Sequence, residues 1–172
     1  MKSKAARIIL LTAFMFAGAS CNDKLCGCTV MDLSTFVIVS DSEGRNLLNP
    51  ETPGYFKEED IRIYFVRNGV REEVYRANLD TPRNFSIDEY NSDHEYAMKL
   101  FPYEGNSDKE VTTTIIRWNK VDEDTVACEV RREDSYTGIS KVWYNGELVC
   151  DDNDGPQVWG ETQVPRLIRV IK

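Results

Sequence analysis

The sequence has little of what several common functions require. Its 172 residues include one histidine, which leaves little room for a histidine-based metal site or catalytic triad. Basic residues are outnumbered, with 21 Lys and Arg against 29 Asp and Glu, and the net charge of −8 opposes binding to nucleic acid phosphates. Walker, Rossmann-glycine, serine-hydrolase and zinc-protease motifs are absent from the sequence. We therefore expect a non-enzymatic protein with no cofactor and no nucleic acid partner.

The longest apolar run lies close to the N-terminus. Residues 8–17 would form a helix only about 15 Å long, which is too short to cross a bilayer. The positively charged Lys2, Lys4 and Arg7 precede this run, and small residues follow it. This order is typical of a secretory signal peptide, which we predict over residues 1–20.

Two cleavage reactions fit the end of the apolar run. Ala17 and Ala19 have the spacing for ordinary signal peptidase, whereas Gly18-Ala19-Ser20-Cys21 is similar to a bacterial lipobox, although Gly18 departs from its usual aliphatic residue. The five cysteines favour the lipobox, because lipidation of Cys21 leaves an even number that can pair. We predict that fatty acids such as palmitate anchor Cys21 in the bacterial outer membrane, on its periplasmic or cell-surface face, and that residues 21–29 form a short tether.

Residues 30–172 carry the pattern of an all-β domain. β-branched and aromatic runs alternate with Asn, Asp, Gly and Pro, and no amphipathic helix extends over three turns. The Asn68-Gly69 and Asn145-Gly146 pairs are typical of type I′ hairpin turns. We predict a single antiparallel β-sandwich of about 7–9 strands, Ig-like (Greek-key) or meander in topology. The predicted strands are 34–40, 61–66, 71–75, 95–103, 111–118, 125–132, 140–144, 147–150 and 167–171.

Long loops are predicted between these strands at residues 41–60 and 79–93. Ser86 and Glu89 have the spacing of a capping box, so the second loop has room for one helical turn.

Three segments carry a resemblance to known proteins. Leu47-Leu48-Asn49-Pro50 with Thr52-Pro53-Gly54, residues 112–118 and residues 141–149 resemble uncharacterised envelope lipoproteins of Bacteroidales bacteria. The resemblance implies a small β-sandwich tethered to the cell envelope. It transfers no catalytic or binding residue to this chain.

The four remaining cysteines are candidates for disulfide bonds. Cys26, Cys28, Cys128 and Cys150 would belong to an exported protein, where disulfides form readily. A Cys26–Cys28 bond would close a strained ring, so pairing of these two with Cys128 and Cys150 is favoured. A free, buried Cys128 is the alternative.

An acidic loop and three aromatic residues are further candidate sites. Asp151, Asp152, Asn153 and Asp154 offer oxygen ligands suited to calcium, but their spacing departs from an EF-hand, so a solvated turn without metal is the favoured interpretation. Trp143, Tyr144 and Trp159 could form an exposed patch that binds a sugar or a protein. For the hairpin itself, we expect Trp143 in the core and Tyr144 partly exposed.

These observations lead to two functional hypotheses. The first is a lipid-anchored cell-envelope lipoprotein that is held to the membrane by its N-terminal lipid and binds a protein or glycan partner. The second is a structural or assembly subunit, similar to a pilus protein, that uses its C-terminal strand at residues 167–171.

Overall fold

The computed structural model describes residues 30–90, 95–155, 157–159, 162–164 and 166–172, and this part of the chain is all-β. Its single helical element is the short 3₁₀ helix Asp152–Asp154, so no helix of the described part is long and apolar enough to cross a membrane. The strands are β1 (Val30–Asp32), β2 (Thr35–Ser40), β3 (Arg62–Arg67), β4 (Val70–Glu73), β5 (Phe85–Tyr90), β6 (Glu95–Leu100), β7 (Glu110–Arg117), β8 (Glu123–Glu133), β9 (Tyr136–Tyr144), β10 (Glu147–Asp151), β11 (Gln157–Trp159), β12 (Thr162–Val164) and β13 (Leu167–Ile171).

The strands form two mixed sheets and a small hairpin. The seven-stranded sheet has the order β1-β9-β8-β7-β3-β4. Its seventh strand, β10, pairs with residues 141–144 of β9, after the residues of β9 that pair with β1. The four-stranded sheet has the order β13-β2-β6-β5, and β11 pairs with β12. The prediction of a purely antiparallel fold is wrong, because β1 runs parallel to β9 and β13 runs parallel to β2. Both parallel pairs join strands that lie far apart in the sequence, which local sequence patterns do not reveal.

The two sheets contribute to one apolar core. Along β8, the buried residues Val126, Cys128 and Val130 alternate with more exposed ones, as expected for a strand with one wet face. Val37 and Met98 of the four-stranded sheet belong to the same core cluster. On the other side of β2, a second cluster consists of Ile38, Ala97, Val164 and Leu167, so β2 is buried on both faces, as its continuous apolar run predicts.

Both Asn-Gly turns have the predicted backbone. Asn68 and Gly69 have φ angles of 50° and 77°, and Asn145 and Gly146 have 48° and 86°. Asparagine and glycine tolerate positive φ, which a type I′ turn requires at both positions. The turns connect β3 to β4 and β9 to β10.

The loop predicted at residues 79–93 contains a strand instead. Residues 85–90 form β5, which pairs with β6 from Phe85↔Leu100 to Tyr90↔Glu95, so Ser86 and Glu89 do not begin a helical turn. Ladder hydrogen bonds to β6 outweigh the weak local capping preference.

The seven-stranded sheet has two ends, which we name the entry end and the far end. At the entry end the described chain begins, where the amide of Val30 donates to the carbonyl of Ser135 (2.9 Å), and the Asn68-Gly69 turn lies at this end. At the far end lie the Asn145-Gly146 turn and the β7–β8 loop 119–122. Val30, the first residue of β1, therefore lies at the entry end.

A buried arginine connects the end of β1 and the beginning of β13 to β9. Arg166 is 2% exposed, and its guanidinium donates to the carbonyls of Ser34 (3.0 Å), Ile139 (2.9 Å) and Asp32 (3.2 Å). Its charge is balanced by the carboxylate of Asp32 and by that of Asp152, 3.7 Å away. The guanidinium therefore connects β1, the residue before β13 and the 3₁₀ helix Asp152–Asp154 to one another.

A buried carboxylate performs a similar role at the far end. Asp124 is 5% exposed and accepts hydrogen bonds from Trp118 Nε1 (2.6 Å), Tyr144 Oη (2.5 Å) and Asn145 Nδ2 (2.7 Å). The ammonium group of Lys172 lies 2.5 Å from the same carboxylate. Burial raises the pKa of Asp124, but the four donors together hold it below its usual value. The C-terminal residue is thereby attached to the seven-stranded sheet.

Candidate functional site

The proposed aromatic patch is not assembled as the sequence suggested. Tyr144 is buried at 8% exposure and donates to Asp124, whereas Trp143 is only partly buried. The prediction of a core Trp143 and a partly exposed Tyr144 is therefore wrong for both residues. Tyr144 pairs with the buried Val126 of β8, which places Tyr144 on the core face and the adjacent Trp143 on the outer face. The structure describes Trp159 only as a backbone position in β11, and its side chain lies outside the described part. Trp143 and Tyr144 therefore do not share one surface.

Trp143 instead belongs to the outer face of the seven-stranded sheet. It pairs with Leu148, as the two-residue turn predicts, and Leu148 is 49% exposed. The next pair is Val142 with Cys150, because a bulge at Val149 shifts the register. Trp143 and Leu148 thus form a small apolar patch on this outer face.

The cysteines at positions 128 and 150 are free, buried thiols, so the predicted disulfides to them are not present. Both residues pair with Val142, one from each side, which places them two strands apart on one face. Their Cα atoms are therefore about 10 Å apart, beyond the reach of a disulfide between them. Burial raises the pKa of Cys128 to about 12 and also raises that of Cys150, which opposes formation of a thiolate. Cys26 and Cys28 lie outside the described residues.

The carboxylates of the acidic loop form ion pairs with basic side chains of the protein itself. The Asp151 carboxylate lies 3.2 Å from Lys141 Nζ and accepts from the amide of Asn153, and Asp152 faces Arg131 and Arg166 at 3.6 and 3.7 Å. No cluster of three His, Cys, Asp or Glu residues suited to a metal ion occurs in the described ranges. The loop is a hydrogen-bonded turn that contains the 3₁₀ helix Asp152–Asp154, with Asp151 as its N-cap.

The entry end carries a cleft that sequence analysis did not identify. Its volume is about 500 Å³, which lies within the range of small-molecule binding sites. The cleft lies between the β3–β4 turn and the segment after β6. Lining residues include Leu33, Arg67, Arg76, Asn84, Phe101, Tyr103, Glu104, Asn106 and Glu110. They come from six separate parts of the chain, which is why no single motif indicated them.

An aromatic pair forms part of the cleft wall. The rings of Phe65 and Tyr103 stack with centroids 5.1 Å apart, and the guanidinium of Arg67 lies 5.0 Å from the Tyr103 centroid and 5.9 Å from that of Phe65. Three such similar distances place the guanidinium beside the pair rather than on the far face of Tyr103. Phe65 is buried and Tyr103 only partly so, which leaves Tyr103 as the ring of the pair available to a ligand.

Hydrogen bonds fix the segment that carries Tyr103. Its amide donates to Thr114 Oγ1 (2.7 Å), and its carbonyl accepts from Thr112 Oγ1. Both threonines are buried residues of β7. The aromatic wall is therefore preorganised on a strand of the seven-stranded sheet.

The carboxylates of the cleft also have internal partners. Glu110 accepts hydrogen bonds from the amides of Asn106 (2.8 Å) and Ser107 (3.0 Å), which lower its pKa. Gly105 permits this arrangement, since its φ is 66° and an added Cβ would lie 2.6 Å from Glu110 Oε2. Glu104 lies 3.5 Å from the guanidinium of Arg132. Glu110 therefore stays ionised at neutral pH and is a hydrogen-bond acceptor rather than an acid.

Comparison with known protein families, with characterised proteins and with solved structures gives no match to this chain.

Proposed function

We propose that this protein is a lipid-anchored cell-envelope lipoprotein, related to those of Bacteroidales bacteria, whose β-sandwich domain binds a glycan in the entry-end cleft. The observation that carries the proposal is the composition of the cleft. Partly buried Phe101 and Tyr103 line the cleft together with Arg76 and Asn84. Sugar rings present apolar C–H faces together with hydroxyl groups, which aromatic rings and planar polar side chains complement.

The size of the cleft favours a glycan over a protein partner. A volume of about 500 Å³ is suited to a few sugar residues. A stable protein interface buries about 800 Å² on each partner and needs a broad surface. A protein partner is therefore the second candidate for this cleft.

Binding without hydrolysis is supported by the carboxylates. Glycoside hydrolysis needs one carboxyl group with a raised pKa as the general acid. The pKa of Glu110 is lowered instead, and Glu104 lies beside Arg132. These features suit a lectin-like role better than an enzymatic one.

The pilus-like alternative has less support. β13 pairs in parallel with β2 along its whole length, and the amide of Lys172 donates to the carbonyl of Ser40 (2.8 Å). The ammonium group of Lys172 also contacts Asp122 and Asp124. A strand donated to a neighbouring subunit would have to break all of these contacts.

Anchoring at Cys21 would hold the entry end close to the membrane. The nine residues 21–29 span at most about 30 Å when fully extended. The cleft would then lie near envelope polysaccharides, within reach of glycans attached to the same surface.

Substitution within the cleft tests this function. In full-length protein held in detergent micelles, Arg76→Gln should weaken binding to an array of immobilised oligosaccharides about tenfold, because charge-assisted hydrogen bonds to sugar hydroxyls are lost. Arg76 is exposed and makes no ion pair in the described residues, so the melting temperature should not change. Tyr103→Ala should weaken the same binding by a similar factor.

The matched control is Trp143→Ala, which removes an aromatic ring outside the cleft. It should leave glycan binding unchanged. Loss of binding in Trp143→Ala but not in Arg76→Gln would contradict the assignment to the cleft and move the site to the outer face of the sheet.

A further inference from the structure

The far end of the molecule carries a second pocket, with a charge opposite to that of the whole chain. Its volume is about 420 Å³, and its lining comprises Asp60, Arg62, Arg117, Asn119, Lys120 and Val121. Three cations therefore surround one carboxylate, in a protein whose net charge is −8. A local excess of positive charge in an acidic protein attracts anions against the general field of the molecule.

Strand register brings two of these cations together. Arg62 of β3 and Arg117 of β7 are directly opposite each other in an antiparallel pair. Like charges in that position destabilise a sheet. A bound anion would remove this repulsion, because it could contact both guanidinium groups at once.

The protein leaves much of this positive charge unneutralised. Arg62 donates to the carbonyl of Ile61 (2.8 Å) and has Glu73 at 3.3 Å. The guanidinium of Arg117 lies 5.2 Å from the ring centroid of Tyr64. Within the described residues, neither Arg117 nor Lys120 forms an ion pair. These two cations are therefore free to contact a ligand.

The loop that presents Lys120 is held in a fixed shape. Asn119 Oδ1 accepts from the amides of Val121 (2.9 Å) and Asp122 (3.0 Å), and the amide of Trp118 donates to the Asp122 carbonyl (2.9 Å). With its oxygen occupied, the Asn119 side chain can still donate from Nδ2. The pocket thus combines three cationic groups with a neutral donor.

We propose that the far-end pocket binds an oxyanion: inorganic sulfate or phosphate, or the carboxylate of an acidic sugar. Arg117 and Lys120 are the principal contacts, and Arg62 and Asn119 complete the site. Asp60 limits the affinity by repelling the ligand. This site is independent of the entry-end cleft, which lies at the opposite end of the seven-stranded sheet.

Calorimetric titration of the full-length protein in neutral detergent micelles tests the proposal. The ligands are sodium sulfate, a glucuronate-containing disaccharide and its uncharged counterpart. Wild-type protein should bind the two anions at the far-end pocket, whereas binding of the neutral sugar, which would take place in the entry-end cleft, should not change when Arg117 or Lys120 is substituted. Arg117→Gln and Lys120→Gln should each weaken anion binding about tenfold, and Asp60→Asn should strengthen it.

Lys99→Gln is the matched control, because Lys99 stacks on Phe101 away from the far end and should not affect binding. Binding of the disaccharide at least about tenfold tighter than sulfate would assign the pocket to acidic glycans, and equal affinities would assign it to free oxyanions. The proposal is overturned if wild-type protein shows no saturable binding below about 10 mM, or if Arg117→Gln and Lys120→Gln bind as tightly as wild type.

Discussion

Replacing Arg166 by methionine is expected to lower the free energy of unfolding by about 3–5 kcal/mol. The substitution keeps an unbranched side chain but leaves the carboxylates of Asp32 and Asp152 without their shared cation. The carbonyls of Ser34 and Ile139 also lose a donor in a buried position. Urea denaturation of the full-length protein, followed by tryptophan fluorescence, measures the difference.

Arg169→Gln, in the strand β13 that directly follows Arg166, is the matched control. Arg169 pairs with Glu95 at 3.0 Å, but its side chain is 55% exposed, so its loss should cost less than about 1 kcal/mol. If both substitutions had equally small effects, the guanidinium of Arg166 would not be what holds β1 and β13 to β9.

Replacing Asp124 by alanine is expected to cost a similar amount, about 3–5 kcal/mol. The indole of Trp118, the hydroxyl of Tyr144 and the amide of Asn145 would lose their common acceptor, and Lys172 would lose a counter-ion. A buried donor without an acceptor is more costly than the net value of the hydrogen bond it replaces. Urea denaturation again provides the measurement.

Neighbouring substitutions separate this network from ordinary packing. Tyr144→Phe removes one hydrogen bond and should cost about 1 kcal/mol. Trp143→Ala, on the outer face of the same strand, should also cost no more than about 1 kcal/mol. A larger loss in Trp143→Ala than in Asp124→Ala would contradict the description of this region.

The pH dependence of stability provides a further test of Asp124. Because its pKa is lowered in the folded protein, its contribution is present above the unfolded-state value near 3.8 and is lost as the pH falls through the lower folded-state pKa. Wild-type protein should therefore lose stability below about pH 4 more steeply than Asp124→Asn. Equal slopes for the two proteins would show that the carboxylate gains nothing from its four donors.

Local patterns predicted much of the fold because hairpins are local structures. Alternation along β8 and the Asn145-Gly146 turn depend on residues close in sequence, and all nine predicted strands overlap strands of the structure. β5 was missed because Ser86, Asp88 and Glu89 make it polar, as an edge strand can be. The short strands β1, β11 and β12 have three residues each, too few for a period to be recognised.

Candidate sites were harder to predict, because they depend on register and on long-range contacts. The face of Tyr144 is set by its pairing with Val126. Cross-strand partners in the β8–β9 hairpin lie on the same face of the sheet, so the buried face of β8 correctly predicts that Tyr144 is buried. No comparable signal marks Arg166, whose carbonyl acceptor at Ser34 lies 132 positions away in sequence. The entry-end cleft likewise combines Leu33 with residues between 65 and 110.

The charge distribution gives the two ends of the domain different properties. The entry-end cleft contains the cations Arg67 and Arg76 with the acids Glu104 and Glu110, whereas the far-end pocket has an excess of cations. A domain tethered at its entry end would present the far-end pocket away from the membrane. One anchored molecule could thus contact a neutral glycan near the surface and an anionic group further out.

Detergent phase partition of the wild-type protein and of Cys21→Ser, both expressed in a Bacteroidales host, tests most directly the claim that this domain is a lipid-anchored module. Wild-type protein should enter the detergent phase, and Cys21→Ser should remain in the aqueous phase, because two or more acyl chains are needed for stable anchoring and the variant has no thiol to carry them. Wild-type protein found in the aqueous phase with Ser20 at its N-terminus would contradict the claim, since cleavage would then have followed Ala19 and left Cys21 unmodified.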